Sequence, residues 1–365
     1  MKASLKIIIA GGGTGGHIFP AIAIANALRR IDGNIKILFV GAKGKMEMEK
    51  VPQAGYAIKG IDITSFNRSS LIKNIGLPWK LLKSFFQVRT IVSDFGPDAV
   101  VGVGGYSSFP VLRFAQARGI PTFIHESNSF AGKSNIWLAK KATMIFVASD
   151  GMEIFFPASR IVYTGNPVRT DIVRNRPPRD EAVKFFGLDL TRKTVFSTGG
   201  SLGAKGINEA IARHLGEFEK NNLQLVWQTG KPFAEKARQA AEGRKNIWTN
   251  DFLTQMQYGY AAADVVISRS GAMSIAELCL VGKPVVFVPF PFAAEDHQTA
   301  NAKSLVNKGA ALMVNDAEAN EKLVSTTVSL SKDIELQAHL SAEIRKLGVA
   351  DADEVIAKKI LETIG

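Results

Sequence analysis

The pattern of apolar and polar positions predicts one arrangement that occurs twice along the chain. In each copy a short apolar strand leads into a glycine-rich turn, and the turn leads into an amphipathic helix. In the order strand, turn and helix, the two copies lie at 5–10, 11–16 and about 19–30, and at 194–198, 199–203 and from near 206. Such a turn directs backbone N–H groups and a helix N-terminus toward an anion, usually a phosphate.

Short runs rich in Val and Ile alternate with helical patterns through both halves of the chain. Parallel strands that are buried on both faces show such short continuous apolar runs. The predicted strands are 35–40, 99–103, 122–125 and 144–148, then 223–228, 247–249, 265–268 and 285–289. The pattern predicts an α/β fold with two Rossmann-like, doubly wound domains that face a central cleft.

The length of 365 residues favours two domains, because single cores usually stop growing below this size. Prolines among scattered charges indicate an interdomain linker within 160–188. The amphipathic segment 351–363 is predicted to be a helix that packs back onto the first domain. We therefore predict an N-terminal domain of residues 1–164 with helix 351–365, and a C-terminal domain of residues 165–350.

Composition and charge narrow the functional classes. The net charge of +12 and the pI near 9.6 indicate an anionic partner, either a phosphorylated substrate or anionic lipid. Nucleic acid is the weakest candidate, because no recognition signature and no aromatic–arginine platform occurs. The single cysteine, Cys279, excludes an intrachain disulfide framework and indicates a reducing compartment. With no signal peptide and no apolar run of membrane-spanning length, we expect a cytoplasmic protein that can still touch a membrane.

The first glycine turn formally satisfies the dinucleotide pattern through Gly11, Gly13 and Gly16. A nicotinamide enzyme should also carry Asp or Glu near the end of the second strand, where this chain has Val40–Lys43. No Lys-Ser/Thr follows the last glycine, so the turn is not a Walker A motif. Three alternatives remain open here: a tight turn without a ligand, a non-catalytic binding module, and a reductase that binds a 2′-phosphate through Lys43 and Lys45.

Polar residues follow several predicted strands, where open α/β sheets bind their ligands. His17 follows the first glycine turn and is either a general base or a group that caps the helix or binds phosphate. In the first half the other candidates are Tyr106, His125, Glu126, Asn128 and Asn135. In the second half, segment 269–272 precedes a helix that carries Glu277, and the loop after 285–289 leads to Gln298 and Asn301.

Seven motifs together resemble the MurG family, the bacterial N-acetylglucosaminyltransferases of the lipid II pathway. In chain order they lie at 12–17, 104–106, 125–128, 165–169, 199–203, 269–272 and 298–301. The chain departs from the common pattern at Leu202, where glutamine is frequent, and at Ser127 and Ser129, where Gln and Gly are usual. Neither change removes a group that the chemistry obviously needs.

The resemblance implies a GT-B fold, an inverting transfer of GlcNAc from UDP-GlcNAc to the C4 hydroxyl of lipid-linked MurNAc-pentapeptide (lipid I), and no cofactor or metal. Another GT-B glycolipid transferase is the alternative. Of the catalytic candidates, His17 is the better general base and Glu126 the other. The implied donor and acceptor residues are Thr14, Gly15, Gly16, Asn128, Arg169, Ser201, Leu253, Ala272, Met273, Ser274, Glu277 and Gln298, with Tyr106 and Asn135 on the acceptor side. The only Asp-x-Asp match, Asp351–Asp353, is predicted to cap the last helix.

The resemblance also implies a peripheral location on the cytoplasmic face of the bacterial inner membrane, and a possible association with cell-wall and division machinery. Segment 72–89 interleaves apolar and basic residues: the apolar ones are Leu77, Trp79, Leu81, Leu82, Phe85 and Phe86, and the basic ones are Lys73, Lys80, Lys83 and Arg89. Such a segment is either a core helix with solvated lysines or a surface that docks on anionic lipid. Because the implied acceptor is anchored in a membrane, we predict docking through Leu77–Phe86.

Overall fold

The computed structural model describes residues 4–63, 77–169, 172, 175–293 and 296–365, with the backbone alone at 77, 78, 80 and 81. The chain forms two compact units. The first comprises residues 1–169 and 351–365, and the second comprises residues 170–350. The sequence-based boundary was placed between residues 164 and 165.

The first unit contains a parallel seven-stranded sheet in the order β3-β2-β1-β4-β5-β6-β7. Its strands are β1 (Lys6–Ala10), β2 (Lys36–Ala42), β3 (Ala57–Ile61), β4 (Ala99–Gly102), β5 (Thr122–Glu126), β6 (Met144–Val147) and β7 (Ile161–Tyr163). Its helices are α1 (Gly15–Ile31), α2 (Glu47–Gln53), α3 (Leu77–Phe95), α4 (Ser108–Ala117) and α5 (Lys133–Ala139), with short 3₁₀ turns at Met152–Ile154 and Ala158–Arg160.

Alternate side chains of β1 enter two different cores, because successive residues of a strand point to opposite faces of the sheet. Ile7 and Ile9 pack with helix α1 and with the C-terminal helix α15 (Ala352–Ile364). Ile8 and Ala10 pack on the other face with α3, α4 and α5. Both faces of the sheet are therefore covered, as the continuous apolar runs predicted.

The second unit contains a parallel six-stranded sheet in the order β10-β9-β8-β11-β12-β13. Its strands are β8 (Lys193–Thr198), β9 (Leu223–Gln228), β10 (Ile247–Asn250), β11 (Val265–Ser268), β12 (Val285–Phe287) and β13 (Leu312–Met313). Its helices are α6 (Arg179–Phe185), α7 (Lys205–Arg213), α8 (Leu215–Lys220), α9 (Ala234–Ala241), α10 (Met256–Ala262), α11 (Ala272–Val281), α12 (His297–Asn307), α13 (Ala319–Lys332) and α14 (Ile334–Arg345), with 3₁₀ turns at Lys231–Phe233 and Asp316–Glu318.

Each sheet has one switch point, where successive strands change from one side of the first strand to the other. In the first unit this point lies between β1 and β4, and in the second it lies between β8 and β11. Ligands of open α/β sheets bind outside the carboxyl ends of the strands at such a point. Both glycine turns therefore occupy the expected binding position of their own sheet.

The described strands agree with the predicted ones to within one or two residues at most ends, and the pattern missed β3, β7 and β13. The boundary between the two units, at residues 169 and 170, lies within the interdomain linker predicted at 160–188, although β7 and α6 occupy parts of that segment. The C-terminal segment is a helix, α15, and it packs on α1. Asp353 of α15 forms an ion pair with Arg30 at 2.6 Å. Asp351 precedes the helix without a capping side-chain hydrogen bond, so the predicted cap is wrong.

Candidate functional site

In the first unit, the turn after β1 is built around a buried carboxylate, that of Glu47 at the start of α2. One oxygen of Glu47 accepts from the Gly13 N–H at 2.8 Å, and the other accepts from the Ala42 N–H at 2.9 Å. A Cβ on Gly12 would lie 2.3 Å from this carboxylate, and a Cβ on Gly41 would lie 2.5 Å from the Glu47 side chain. The absence of side chains at these two glycines therefore makes room for Glu47.

His17 lies in the first turn of α1 with its Nδ1 atom 3.1 Å from the Gly12 carbonyl oxygen. The Thr14 hydroxyl, which can donate or accept, also lies 3.3 Å from Nδ1. A carbonyl can only accept, so in neutral His17 the Gly12 contact favours the proton on Nδ1 and leaves Nε2 as the free base. Burial lowers the pKa of His17 below its usual value, although the carboxylates of Glu126 and Glu47 and the Gly12 contact oppose this effect. His17 is therefore neutral at pH 7, as a general base must be.

Glu126, at the end of β5, has both carboxylate oxygens occupied. One oxygen accepts from the backbone and the side-chain amide of Asn128, each at 3.2 Å. The other accepts from the Gly132 N–H at 3.1 Å and from the Asn135 amide at 2.8 Å. Glu126 therefore organises the loop that carries the two predicted asparagines.

His125 lies beside this loop in the core, and its pKa is lowered from 6.5 to about 4. Burial is the main cause, a backbone hydrogen bond with Gly165 opposes it, and the nearby His17 adds to it. The Nε2 atom of His125 is buried and has no hydrogen-bond partner among the described atoms. His125 is thus a neutral core residue at physiological pH.

The turn after β4 lies directly against the first glycine turn. A Cβ on Gly105 would lie 2.3 Å from the Gly12 carbonyl oxygen, and a Cβ on Gly104 would lie 2.8 Å from Nε2 of His17. Both glycines have positive φ angles, of 83° and 92°. Tyr106 follows them and is exposed. The sequence-predicted residues His17 and Tyr106 are therefore brought to the same edge of the sheet.

Helix α1 begins with a free N-terminus. Thr14 is its N-cap residue and makes no side-chain capping hydrogen bond, and Gly15 and Gly16 are its first residues. The first N–H groups of a helix have no partner within the helix and favour an anion. Arg169 belongs to this same unit, and its guanidinium stacks on the Phe19 ring of α1 at 4.5 Å.

In the second unit, the turn after β8 is held by a neutral amide instead of a carboxylate. The Gln228 side chain donates to the Gly200 carbonyl at 3.0 Å and accepts from the Thr198 hydroxyl at 3.0 Å. Gly203 closes against the backbone of Thr229, since a Cβ there would lie 2.0 Å from that carbonyl. This arrangement shapes the turn around Ser201, which is partly exposed.

Helix α11 follows β11 and has an accessible N-terminus. Residues Ala272, Met273 and Ser274 form its first turn and are all partly exposed. Glu277 lies one turn further along and is buried, and its carboxylate accepts a hydrogen bond of 2.8 Å from the hydroxyl of Tyr260 on α10. Leu253, in the loop before α10, is also buried.

The loop after β12 is tied to the start of α12 by Gln298. The Phe290 N–H donates to the Gln298 side-chain oxygen at 3.0 Å, and the Gln298 amide nitrogen lies 3.9 Å from where a Cβ on Gly271 would be. Arg269 is buried under this loop, where it donates to the carbonyls of Val288 and Pro289. Gln298 therefore presents its NH₂ group near the N-terminus of α11.

Three residues that position the site were missed at the level of sequence: Glu47, Gln228 and Tyr260. A carboxylate just after a strand, a glutamine at a strand end and a tyrosine in an apolar helix each fit ordinary structural roles. Glu47 had one usable signal in the sequence. Two glycines, Gly12 and Gly41, precede it, and residues without a side chain leave room for a large neighbouring side chain. In the described part of the chain, no group of three or more His, Cys, Asp or Glu could hold a metal ion.

Two family models match the chain in succession. Residues 7–147 match the glycosyltransferase family 28 N-terminal domain, and residues 194–356 match the glycosyltransferase family 28 C-terminal domain. The two sheets and their glycine turns therefore belong to an α/β glycosyltransferase of the GT-B fold. These matches decide against the reductase and the non-catalytic binding module.

Curated relatives narrow the family further. The chain is 49% identical, over 99% of its length and 97% of the relative's, to the UDP-N-acetylglucosamine–N-acetylmuramyl-(pentapeptide) pyrophosphoryl-undecaprenol N-acetylglucosamine transferase of Phocaeicola vulgatus. It is 47% identical, over 100% of its length and 97% of the relative's, to the enzyme of the same name from Porphyromonas gingivalis. The crystal structure of Acinetobacter baumannii MurG matches with a TM-score of 0.72 and 28% identity, over 98% of this chain and 99% of that one. The chain belongs to the MurG family of N-acetylglucosaminyltransferases.

Proposed function

We propose that this chain transfers GlcNAc from UDP-GlcNAc to the C4 hydroxyl of the MurNAc sugar in lipid I, which forms lipid II for peptidoglycan synthesis. The near 50% identity to curated transferases along the whole chain carries this proposal. Two parallel sheets, each with a glycine turn at its switch point, are consistent with a separate binding region for each of two phosphorylated substrates.

The second unit binds the donor in this proposal. The turn around Ser201 and the N-terminus of α11 hold the diphosphate, because free helix N–H groups and glycine turns favour anions. Glu277, oriented by Tyr260, accepts hydrogen bonds from the ribose hydroxyls. Leu253 meets the uracil through its backbone, and the Gln298 NH₂ group contacts the GlcNAc hydroxyls.

The first unit binds the acceptor and supplies the base. Thr14, Gly15 and Gly16 lie at the free N-terminus of α1, which suits the acceptor diphosphate. His17 is the general base in this proposal, because its Nε2 atom is unprotonated in the tautomer that Gly12 selects. Glu126 holds Asn128 and Asn135 in place, and Tyr106 contributes to the acceptor side. Arg169 also belongs to this unit, and in this proposal it helps to hold the UDP diphosphate.

The reaction is a single inverting displacement. The C4 oxygen of the acceptor forms a bond to C1 of GlcNAc while the bond from C1 to the UDP phosphate oxygen breaks, and its electron pair leaves with UDP. The proton of the C4 hydroxyl moves to Nε2 of His17. The α-linked donor gives a β-linked product, and the N–H groups of the second glycine turn stabilise the charge on UDP.

The assay that tests this function measures transfer of radiolabelled GlcNAc from UDP-GlcNAc to a soluble lipid I analogue. We expect a β-1,4-linked product and release of UDP. Transfer to another glycolipid but not to the lipid I analogue would favour the alternative GT-B activity. Neither product would contradict the proposed function.

We also propose that helix α3 docks on the anionic cytoplasmic leaflet. Its described side chains include Trp79, Leu82 and Phe86, whose exposed fractions are 76%, 50% and 62%. Exposed aromatic and aliphatic groups of this kind suit the headgroup boundary of a bilayer. Lys83 forms an ion pair with Asp62 at 3.0 Å, so its charge also serves a contact within the protein besides any contact with lipid. Residues 72–76 of the amphipathic segment, and the side chains of Leu77, Lys80 and Leu81 in the predicted docking segment, lie outside the described residues.

Docking is tested by co-sedimentation with phosphatidylglycerol vesicles, using phosphatidylcholine vesicles for comparison. The variant Trp79→Ser, Leu82→Ser, Phe86→Ser should lose vesicle binding, while Ile334→Ser, at a residue 71% exposed in the second unit, should retain it. Undiminished binding by the folded triple variant would place the docking surface elsewhere.

No helix within the described residues is long and apolar enough to span a membrane. On the family resemblance alone, we further propose association with cell-wall and division enzymes, which co-purification can test.

A further inference from the structure

One peptide group of the first glycine turn has a catalytic candidate at one end and a buried carboxylate at the other. The carbonyl of Gly12 contacts Nδ1 of His17 at 3.1 Å, and the N–H of Gly13 donates to Glu47 at 2.8 Å. These two groups belong to the same planar peptide unit, and no cis peptide bond occurs in the described chain. In a trans peptide the C=O and the N–H point in opposite directions. The peptide therefore stands between Glu47 and His17.

We propose that Glu47 is a positioning residue for the general base and that it acts on His17 through the Gly12–Gly13 peptide. This inference rests on the proposed role of His17 in GlcNAc transfer. The carboxylate orients and polarises the peptide, so that the Gly12 carbonyl becomes a stronger acceptor for the Nδ1 proton. The proton is then held on Nδ1, and the basic lone pair stays on Nε2.

The surroundings of Glu47 support a dedicated role. Its carboxylate is 1% exposed and makes two hydrogen bonds, both to backbone N–H groups. Burying a charge lowers the stability of the fold unless charge-assisted hydrogen bonds of this kind offset the cost. An apolar residue would fill the same space without that cost, so space-filling alone does not explain a glutamate here. Two glycines, Gly12 and Gly41, leave the space that the side chain occupies.

The electrostatics act in the same direction. The negative charge of Glu47 raises the pKa of His17, and so does that of Glu126, while burial lowers it. His125 also lies close enough to interact with His17. Both carboxylate oxygens of Glu126 accept hydrogen bonds from the loop at 128–135. Glu47, in contrast, is connected to His17 by hydrogen bonds through a single peptide group. Loss of the Glu47 charge should therefore lower the pKa of His17.

The experiment compares the wild-type chain with Glu47→Gln and with the control Glu49→Gln. Glu49 lies on the same helix two positions on, and its side chain is 66% exposed. Gln has nearly the same size as Glu but no charge, and its NH₂ group cannot accept from the second backbone N–H. Two readouts are taken: the pH profile of kcat with the lipid I analogue, and long-range ¹H–¹⁵N spectra of the histidine rings, with the His17 signals assigned through His17→Gln.

We expect Glu47→Gln to lower kcat about 10- to 100-fold, to leave the KM for UDP-GlcNAc within two-fold, and to move the acid limb of the kcat profile to lower pH. The acid limb moves down because His17 loses activity on protonation, and its pKa is lower without Glu47. The spectra should show an Nδ1–H tautomer in the wild type and a mixture in Glu47→Gln. Glu49→Gln should match the wild type throughout.

Two outcomes would overturn the inference. An Nε2–H tautomer of His17 in the wild-type chain would do so even if Glu47→Gln does not fold. A folded Glu47→Gln with reduced kcat, an unmoved acid limb and an unchanged tautomer would show that Glu47 only shapes the turn. If the wild type transfers no GlcNAc at all, the proposed function fails, and the spectra still decide whether Glu47 controls the His17 tautomer.

Discussion

The two glycine turns share one local sequence pattern, but different side chains hold them in place through hydrogen bonds. The turn after β1 is held by the Glu47 carboxylate, which accepts the hydrogen bond of the Gly13 N–H. The turn after β8 rests on the neutral amide of Gln228, which binds a carbonyl of the turn, that of Gly200. A carboxylate in the first turn uses a donor that an external phosphate would need. The Gln228 amide occupies none of the N–H groups of the second turn, although those of Gly200 and Gly203 donate to the Thr198 hydroxyl and to the Gly200 carbonyl.

This difference teaches that one strand–turn–helix unit can serve two kinds of chemistry. Burial keeps His17 neutral in the first unit, the internal anion of the first turn is proposed to fix its tautomer, and the N-terminus of α1 is left for an anion. In the proposed function, the second turn contributes N–H groups to the binding of a diphosphate. We therefore expect proton transfer and pH dependence to belong to the first unit, and donor affinity to belong to the second.

The largest expected effect is on turnover when the base is removed. His17→Ala should lower kcat by about 10²- to 10⁴-fold, the usual contribution of a general base. Its affinity for UDP-GlcNAc, measured by calorimetry, should stay within a few-fold, because most of the proposed donor-binding residues lie in the second unit. A near-normal kcat would make His17 structural and return the role of base to Glu126.

The next effect concerns the acid stability of the first unit. His125 has a pKa of about 4 in the folded protein against 6.5 unfolded, so the unfolded chain binds its proton first as the pH falls. The free energy of unfolding is therefore unaffected by His125 above pH 6.5, where this residue is neutral in both states. It decreases as the pH falls toward 4, by at most roughly 3 kcal/mol. Urea unfolding at pH 7 and pH 5 should show this loss in wild type and a smaller one in His125→Gln. The exposed His339→Gln is the control, and equal losses in all three proteins would contradict the prediction.

Donor binding should depend on Glu277. Glu277→Ala should raise the KM for UDP-GlcNAc strongly, because each lost hydrogen bond from the ribose to the charged carboxylate contributes about 1.5–3 kcal/mol. The acid limb of kcat should not move, since the His17 environment is unchanged. Steady-state kinetics at several pH values check both parts. An unchanged KM would remove Glu277 from the donor site.

The smallest effect is expected at Tyr260, which acts on the donor through Glu277. Tyr260→Phe removes one hydrogen bond of 2.8 Å to the carboxylate and keeps the ring that packs on Phe196. We expect the KM for UDP-GlcNAc to rise by several-fold, for a loss of about 1 kcal/mol, with kcat unchanged. The same variant made in the Glu277→Ala background should add little, and full additivity would contradict the role of Tyr260 as a positioning residue.

Much of the fold could be predicted from the sequence because its signals are local. The apolar run before Gly11 and the one before Gly199 identified the first strand at the switch point of each sheet, and β9 and β11 were predicted to the residue. Strand β13 was missed because it has only two residues, and β3 because its burial is interrupted by exposed positions. The helix within 179–185 was hidden because the adjacent prolines indicated a linker.

The candidate residues were also predicted, but the contacts that hold them were not. The resemblance ranked His17 ahead of Glu126 as the base, and the hydrogen bonds of each support that proposal. The four donors on Glu126 come from residues up to nine positions away, in a loop whose path no period reveals. The roles of Gln228 and Tyr260 depend on partners 28 and 17 positions away.

The sequence by itself determined the two α/β halves, the position of both glycine turns and the family, because strand period, glycine spacing and motif order are properties of neighbouring residues. Only the tertiary structure decided that a carboxylate 34 positions along the chain fills the first turn, while an amide supports the second. The physical reason is that burial and hydrogen-bond geometry set the charge and tautomer of a side chain. Both depend on which distant segments the fold brings together.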